Sequence, residues 1–101
     1  MEGIDIAFHP DAAEEYTASY AWYAERGVRV ALAFERETER AMRLIADSPQ
    51  RWPRYGKDYR WILLRRFPYA LVYQIRSEKV VIMAVAHAKR RPGYWRDRKQ
   101  P

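Results

Sequence analysis

The sequence predicts an α+β fold with the element order β-α-α-β-β-β, in which a helical hairpin packs on a small antiparallel sheet. Apolar residues recur at helical spacing through residues 12–45. Residues 59–88 are instead rich in β-branched and aromatic side chains, which favour strands. The 101 residues contain no repeat and no low-complexity linker, and they suffice for one modest core. We therefore expect a single domain over residues 1–101.

The beginning of the chain predicts one short strand followed by a helix. Ile4, Ile6 and Phe8 are separated by single residues, which is the period of a half-buried strand. Pro10 suits the first turn of a helix, and the acidic residues after it favour the positive end of the helix dipole. Gly27 predicts the end of this helix.

A second helix is predicted from Val28 to Asp47, and Ser48-Pro49 ends it. One face of this helix is apolar or small, and most of its charged residues lie on the other face. The face expected to be buried comprises Ala31, Phe34, Thr38, Ala41 and Ile45.

Three strands are predicted in the second half of the chain, over residues 59–67, 69–76 and 80–88. Residues 77–79 form a short polar connection, so the last two strands should make a hairpin. The run VVIMAVA within the last strand is apolar on both faces. This pattern predicts a central strand, covered by the helical hairpin.

Charge is divided unevenly along the chain. Residues 1–50 contain five arginines and ten acidic residues, a balance of −5, whereas residues 51–101 contain fourteen basic and three acidic residues, a balance of +11. Together they give the net charge of +6. A basic side of this kind favours an acidic partner, although a solvated basic surface that only maintains solubility is the alternative.

Several classes of function are excluded or disfavoured by composition. The absence of cysteine excludes disulfides, zinc–thiolate sites and thiol catalysis. The two histidines are far apart in sequence and few acidic residues accompany the basic half, so we expect no metal and no organic cofactor. The sequence has neither a signal-peptide pattern nor an apolar run of about 20 residues, so we expect a cytoplasmic protein.

Two segments are candidates for partner binding. The first helix has four large aromatic residues, more than one side of a small sheet can hide, and some of them should be available to a partner helix. These residues are Tyr16, Tyr20, Trp22 and Tyr23. The C-terminal segment combines cationic and aromatic side chains, which are favoured binding anchors. Its candidate residues are His87, Lys89, Arg90, Arg91, Tyr94, Trp95 and Arg98.

Several motifs together resemble the RelE/ParE toxin family. They are Trp22-Tyr23 in the first helix, the segment from Ile45 to Pro49, the stretch RRFPYALVYQI and the ending AVAHAKRRPGYWRDR. The resemblance covers essentially the whole chain. It implies a toxin of a type II toxin–antitoxin system with a cognate antitoxin, which we expect to bind through the aromatic residues of the first helix. ParE-like members of the family inhibit DNA gyrase, whereas RelE-like members cut mRNA on the ribosome.

The chemistry of RNA cleavage distinguishes these two branches. Metal-free cleavage needs a base for the 2′-hydroxyl, a cation for the phosphoryl charge and an acid for the leaving oxygen. The RelE-like branch has lysines on one strand and an arginine before the next, where this sequence has Trp61, Leu63 and Ala70. An RNase site could use Arg66 (or its neighbour Arg65) as the cation, His87 as the base, and Tyr94 at the position of the C-terminal tyrosine. A cation displaced by one strand residue points to the opposite face of the sheet, and one displaced by two residues moves by roughly 7 Å. Either displacement is large for catalysis.

The favoured interpretation is therefore a ParE-like toxin with no catalytic residues, which binds DNA gyrase through the C-terminal candidates. A RelE-like endoribonuclease acting on the ribosome and mRNA is the alternative. A non-toxic basic binding module is the second alternative. His87 is in addition a candidate for a purely structural, hydrogen-bonded histidine.

Overall fold

The structure, a computed structural model, describes residues 4–99. Its elements are β1 (Asp5–Phe8), α1 (Pro10–Ala24), α2 (Val28–Asp47), β2 (Arg54–Tyr55), β3 (Tyr59–Leu63), β4 (Tyr69–Arg76), β5 (Lys79–His87) and a 3₁₀ helix (Tyr94–Asp97). The five strands form one sheet in the order β1-β5-β4-β3-β2. The predicted α+β fold, with a helical hairpin on a small sheet, is confirmed.

The strands predicted over residues 59–88 are antiparallel as expected, but β1 adds a parallel neighbour at one edge, so the sheet as a whole is mixed. Strands β2 to β5 are antiparallel neighbours, but β1 pairs with β5 in parallel, with Asp5 opposite Lys79 and Phe8 opposite Ile82. The alternation of four residues in β1 identifies a strand but contains no information about its partner or direction. The two-residue strand β2 was not predicted either, since it is too short to show a period.

The strand predicted over residues 59–67 ends earlier than expected, at Leu63. Residues 64–68 instead form a tight connection, in which the Leu64 N–H donates to the Tyr69 carbonyl at 2.9 Å. Arg66 has a φ of 68°, in the left-handed region that no strand residue occupies. The basic pair before Phe67 therefore belongs to a turn.

The helical hairpin covers one face of the sheet. The α2 residues predicted to be buried are all buried, and Phe34 lies at the centre of the core. A bulge opposite the Val72–Tyr73 step shifts the alternation of β5, so that Ile82 and Val85 both face the helices. The strand β5 is central and covered on both faces, as predicted, but the helices supply only one cover.

The second face of the sheet is covered by aromatic side chains from β2, β3 and the C-terminal segment. This cluster contains Val72 and Met83 of the sheet with Trp95 packed against them, and Tyr55 and Trp61 border it. A single two-helix layer contacts one side of a sheet only. The apolar residues on the other side of β5 therefore need this second cover.

Candidate interaction site

A concave groove, here called the sheet groove, opens on the sheet face opposite the helices. Its floor consists of Trp61 and Leu63 from β3, Ala70 and Val72 from β4, and Ala86 from β5. Ala70 pairs with both Leu63 and Ala86 across the strands, so two small side chains lie next to each other and leave the face concave. The volume is about 480 Å³, within the range typical of ligand-binding clefts. Leu63 is 62% exposed in it.

Cationic side chains form one rim of the sheet groove. Arg90 and Arg91 line it, and Lys89 is exposed beside them. His87 marks its end, where the imidazole Nδ1 accepts from the Lys89 N–H at 3.0 Å and the ring packs edge-on against Tyr69. The structure thus brings together His87 with the three cationic residues that follow it. The result is an apolar floor beside a positive rim.

Arg90 is held in place more firmly than Arg91. Its guanidinium lies 3.9 Å from the centre of the Tyr94 ring and 4.0 Å from a carboxylate oxygen of Glu15. The side chain of Arg91 is exposed and has no ion pair or hydrogen bond within residues 4–99. An acidic partner can therefore pair with Arg91 without displacing an internal contact.

Trp95 does not lie on the surface, which corrects its selection as an exposed anchor. The side chain is only 4% exposed and packs against Tyr55 and Tyr59, with ring centroids 5.0 and 6.1 Å away. The apolar second face of the sheet needs a cover, and this indole supplies it. Nearby, the His9 Nε2 lies 2.6 Å from the Lys99 carbonyl oxygen and ties the end of the segment to α1.

Arg98 also points inward, to a carboxylate on α1. Glu15 accepts hydrogen bonds from both terminal nitrogens of Arg98, from the Tyr94 hydroxyl at 2.7 Å and from the Val85 N–H at 2.9 Å. Arg98 donates in addition to the Met83 carbonyl at 2.9 Å. The strand β1 ends at Phe8 and therefore pairs with β5 only as far as Ile82. Past this point the side chains of Glu15 and Arg98 form hydrogen bonds to the β5 backbone in place of a neighbouring strand.

The pKa values in this cluster follow from its geometry. Burial alone would raise the pKa of Glu15, but the hydrogen bonds from Arg98, Tyr94 and Val85 outweigh it, and the pKa is lowered. Burial, together with the hydrogen bond to Glu15 and its negative charge, raises the pKa of Tyr94 far above its ordinary value. The Tyr94 hydroxyl is thus a poor acid, and it already donates a hydrogen bond to Glu15.

The residues of the hypothetical RNase site are not assembled. His87 and Tyr94 both line the sheet groove, whereas Arg66 is exposed in the turn before β4 and does not line it. On the floor, Trp61, Leu63 and Ala70 supply no charge.

The aromatic residues of α1 divide into two sets. Tyr16, Tyr20 and Tyr23 are half-buried, and Tyr16 and Tyr23 pack against Phe34 of α2 at 5.5 and 5.1 Å between ring centroids. Trp22 is 51% exposed, and the guanidinium of Arg26 lies 3.3 Å from its ring centre. Tyr16 and Tyr23 thus join the two helices, Tyr20 packs against the same core, and only Trp22 of these four residues is exposed.

Trp22 borders a second depression, here called the helix groove, with a volume of about 400 Å³. It is lined by Ala18, Ser19, Trp22 and Tyr23 of α1 and by Pro68, Tyr69 and His87. The last three residues also line the sheet groove. The two depressions therefore meet at the Tyr69–His87 pair.

Two functional features were missed from the sequence. Glu15 was interpreted only as an acidic residue near a helix start, and Trp61 and Leu63 only as missing charges. The run of apolar residues on both faces of β3 is the signal that could have identified the groove floor. The role of Glu15 depends on residues 70 to 83 positions away, for which the sequence contains no local signal.

Neither helix in residues 4–99 combines the length and apolarity needed to cross a membrane. Within the same residues, no three histidine, aspartate or glutamate side chains lie close enough together to hold a metal ion.

The fold is that of a known class of toxin. The structure matches a chain of the solved "Chromosomal ParDE TA system from P. aeruginosa" with a TM-score of 0.73 and 16% identity, covering 85% of this chain and 97% of that one. The model of the family "ParE toxin of type II toxin-antitoxin system, parDE" matches residues 6–92. The chain therefore belongs to the ParE toxin family of type II toxin–antitoxin systems. No curated protein sequence is significantly similar to it.

Proposed function

We propose that this ParE-family toxin inhibits growth by binding DNA gyrase, and that a cognate acidic antitoxin neutralises it. The observation that carries the proposal is the sheet groove, an apolar concavity with a cationic rim. The proposed target surface is Leu63 on the floor with His87, Lys89, Arg90 and Arg91 on the rim. Trp95 and Arg98, whose side chains are held inside the protein, support this surface from below.

The floor of the groove supports a binding function over RNA cleavage. Cleavage would require charges placed around one phosphate, whereas Trp61, Leu63 and Ala70 form an uncharged floor. An exposed apolar side chain bordered by arginines instead suits a protein interface, because interfaces are enriched in arginine and their buried centre is more apolar than the surrounding surface. The choice of gyrase as the target follows from the family to which the chain belongs.

A RelE-like endoribonuclease stays as the second candidate because His87 and Tyr94 both line the groove. Against it, the Tyr94 hydroxyl donates to Glu15 at 2.7 Å and its pKa is raised, so Tyr94 is poorly suited to protonate a leaving oxygen at neutral pH.

A paired assay tests the proposal: purified toxin is added to a gyrase supercoiling reaction and to ribosomes programmed with mRNA. We expect inhibition of supercoiling and no cut in the mRNA. Leu63→Asp and Arg91→Glu should each weaken inhibition at least about tenfold, because they remove a central apolar anchor and reverse a rim charge. Arg36→Glu makes the same charge change on the exposed side of α2 and should leave inhibition unchanged.

Two results would contradict the proposal. Cleavage of ribosome-bound mRNA by the wild-type toxin, lost in His87→Ala or Tyr94→Phe, would establish the endoribonuclease. Harmless expression of the folded toxin, with no effect in either assay, would favour the non-toxic binding module.

We infer that the antitoxin contacts α1, where Trp22 is the exposed anchor and Tyr16, Tyr20 and Tyr23 form the half-buried surface around it. Both proposed partners act in the cytoplasm, so the proposal places the toxin there as well. Toxin expressed alone should arrest growth, and co-expression with its partner should restore it.

A further inference from the structure

A third depression, here called the turn depression, adjoins the sheet groove at the turn between β2 and β3. Its volume is about 310 Å³, and it is lined by Tyr55, Gly56, Lys57, Asp58, Tyr59 and Arg96. Tyr55 also lines the sheet groove, whose rim contains Arg91. The cations of the rim therefore continue past the groove, to Arg96 and Lys57.

Arg96 is held in a fixed position by two turns. A Cβ at Gly93 would lie 3.3 Å from its Cζ, and one at Gly56 would lie 3.5 Å from its Nη2. Both glycines have a positive φ, 78° at Gly93 and 66° at Gly56. The guanidinium also lies 5.2 Å from the centre of the Tyr55 ring. Two turns and one ring thus support a side chain that stays exposed on its outer side.

The cations of the turn depression have no acidic partner within the protein. Within residues 4–99, neither Arg96 nor the exposed Lys57 belongs to an ion pair, in contrast to Arg40 and Arg98. Asp58 lines the same depression but lies beyond ion-pairing distance of both cations. An anionic partner can therefore bind Arg96 and Lys57 without breaking an internal salt bridge.

We propose that Lys57 and Arg96 bind backbone phosphates of duplex DNA, next to the groove that binds the target protein. The inference rests on the proposed function, because DNA gyrase acts on duplex DNA. The sheet groove then contacts the enzyme, and the turn depression contacts the DNA that the enzyme holds. The toxin recognises the enzyme–DNA complex rather than the enzyme alone.

The composition of the turn depression favours a phosphate backbone over an acidic protein surface. The centre of a protein interface is apolar, whereas every exposed side chain that lines this depression is charged. A guanidinium such as that of Arg96 donates two parallel hydrogen bonds to one phosphate. Gly56 has no side chain to keep a phosphate away from the turn.

The aromatic residues of the depression favour a duplex over a single strand. Proteins bind single strands by stacking the bases on accessible rings. Tyr55 is instead half-buried, and its ring packs edge-on against Trp61 and Trp95, with centroids 6.2 and 5.0 Å away. The depression therefore offers charges for a backbone and no open ring for a base.

The test measures the binding of purified toxin to a short fluorescent duplex by anisotropy, over a series of salt concentrations. Each phosphate contact contributes about 0.9 to the slope of log affinity against log salt, which is about eightfold in affinity at about 0.1 M salt. Lys57→Ala and Arg96→Ala should therefore each weaken binding about eightfold and reduce the slope by about 0.9. Arg36→Ala removes an exposed arginine from α2 and should leave both quantities unchanged.

Two further variants distinguish phosphate binding from damage to the turns. Arg96→Lys keeps the charge and should keep the salt slope of wild type. Asp58→Asn removes the acidic side chain that lines the depression and should tighten binding, which a disturbed turn would not do. Inorganic phosphate at matched ionic strength should not displace the duplex. Its displacement by phosphate at a concentration equal to that of the DNA phosphates would indicate a site for a free anion and overturn the inference.

The outcomes separate this inference from the proposed function. If the wild-type toxin does not bind the duplex, or if Lys57→Ala and Arg96→Ala bind it like wild type, the inference is wrong, and inhibition of supercoiling by wild type still supports the function. If the two variants inhibit gyrase less but bind DNA normally, the cations contact an acidic protein surface and the DNA site is wrong. Binding of DNA through Lys57 and Arg96 without inhibition of gyrase would leave the site standing and refute the function.

Discussion

Truncating Glu15 to alanine should strongly destabilise the protein, because its carboxylate joins α1 to β5 and to the C-terminal segment. The side chains of Glu15 and Arg98 are only 16% and 14% exposed, and the carboxylate accepts from Val85, Tyr94 and Arg98. Glu15→Ala leaves the guanidinium with the Met83 carbonyl at 2.9 Å and the Asp11 carboxylate at 3.7 Å. Breaking a buried ion pair from one side costs about 3–5 kcal/mol, and the lower end applies because Asp11 still compensates part of the charge of Arg98.

For a domain of this size, a loss of 1 kcal/mol lowers the melting temperature by roughly 4–8 °C. We therefore expect thermal unfolding of Glu15→Ala, followed by circular dichroism, roughly 12–24 °C below wild type. The matched control is Glu14→Ala, an exposed carboxylate on the same helix turn, whose effect should stay within about 0.5 kcal/mol. Equal melting temperatures for the two variants would refute the idea that Glu15 fastens the C-terminal segment.

The pH dependence of this difference has a definite sign. The pKa of Glu15 is lowered in the folded state from its ordinary value of 4.5, despite the opposing effect of burial. Its contribution is therefore complete above that value and is lost as the pH falls through the folded pKa. The gap in melting temperature between wild type and Glu15→Ala should narrow below about pH 4.5. A gap that stays constant from pH 7 to pH 3 would show that the carboxylate charge is unimportant.

Three further changes test the core, a turn and the groove. Phe34→Ala removes a fully buried ring, so its free energy of unfolding in a urea titration should fall by about 3–5 kcal/mol; a loss below 1 kcal/mol would contradict the assigned core. Gly93 has a φ of 78°, and a Cβ there would lie 3.3 Å from the Arg96 side chain. Gly93→Ala should therefore lower the free energy of unfolding in the same urea titration by about 1–2 kcal/mol. An unchanged urea midpoint would contradict the left-handed conformation of Gly93. Leu63→Asp should change stability by at most about 1 kcal/mol, since Leu63 is 62% exposed; global unfolding would instead place it in the core.

Elements with a long, regular pattern could be predicted from the sequence. The face of α2 that contains Phe34 and Ile45 is buried because residues at spacings of three and four share one side of a helix, whatever lies opposite. The hairpin of β4 and β5 was predicted because its connection is short and polar. In both cases the information is contained within the element or next to it.

Features that depend on distant parts of the chain could not be predicted. An exposed aromatic anchor and a buried one have the same sequence signature, and Trp95 is buried because the far side of the sheet was left without helices. The inward turn of Arg98 similarly depends on Glu15, 83 residues earlier. The sequence therefore identified the correct segment for the site but not which of its side chains face a partner.

The residue at position 70 decides both the shape of the sheet groove and the charge of its floor. The groove exists because Ala70 and Ala86 are cross-strand neighbours with little volume, beside the larger Leu63. A cation at position 70 would supply charge for cleavage, but its side chain would also fill the space above Ala86. Ala70 therefore both leaves this position uncharged and leaves room for the groove. The same position that argued against an RNase from the sequence is the one that shapes the proposed binding surface in the structure.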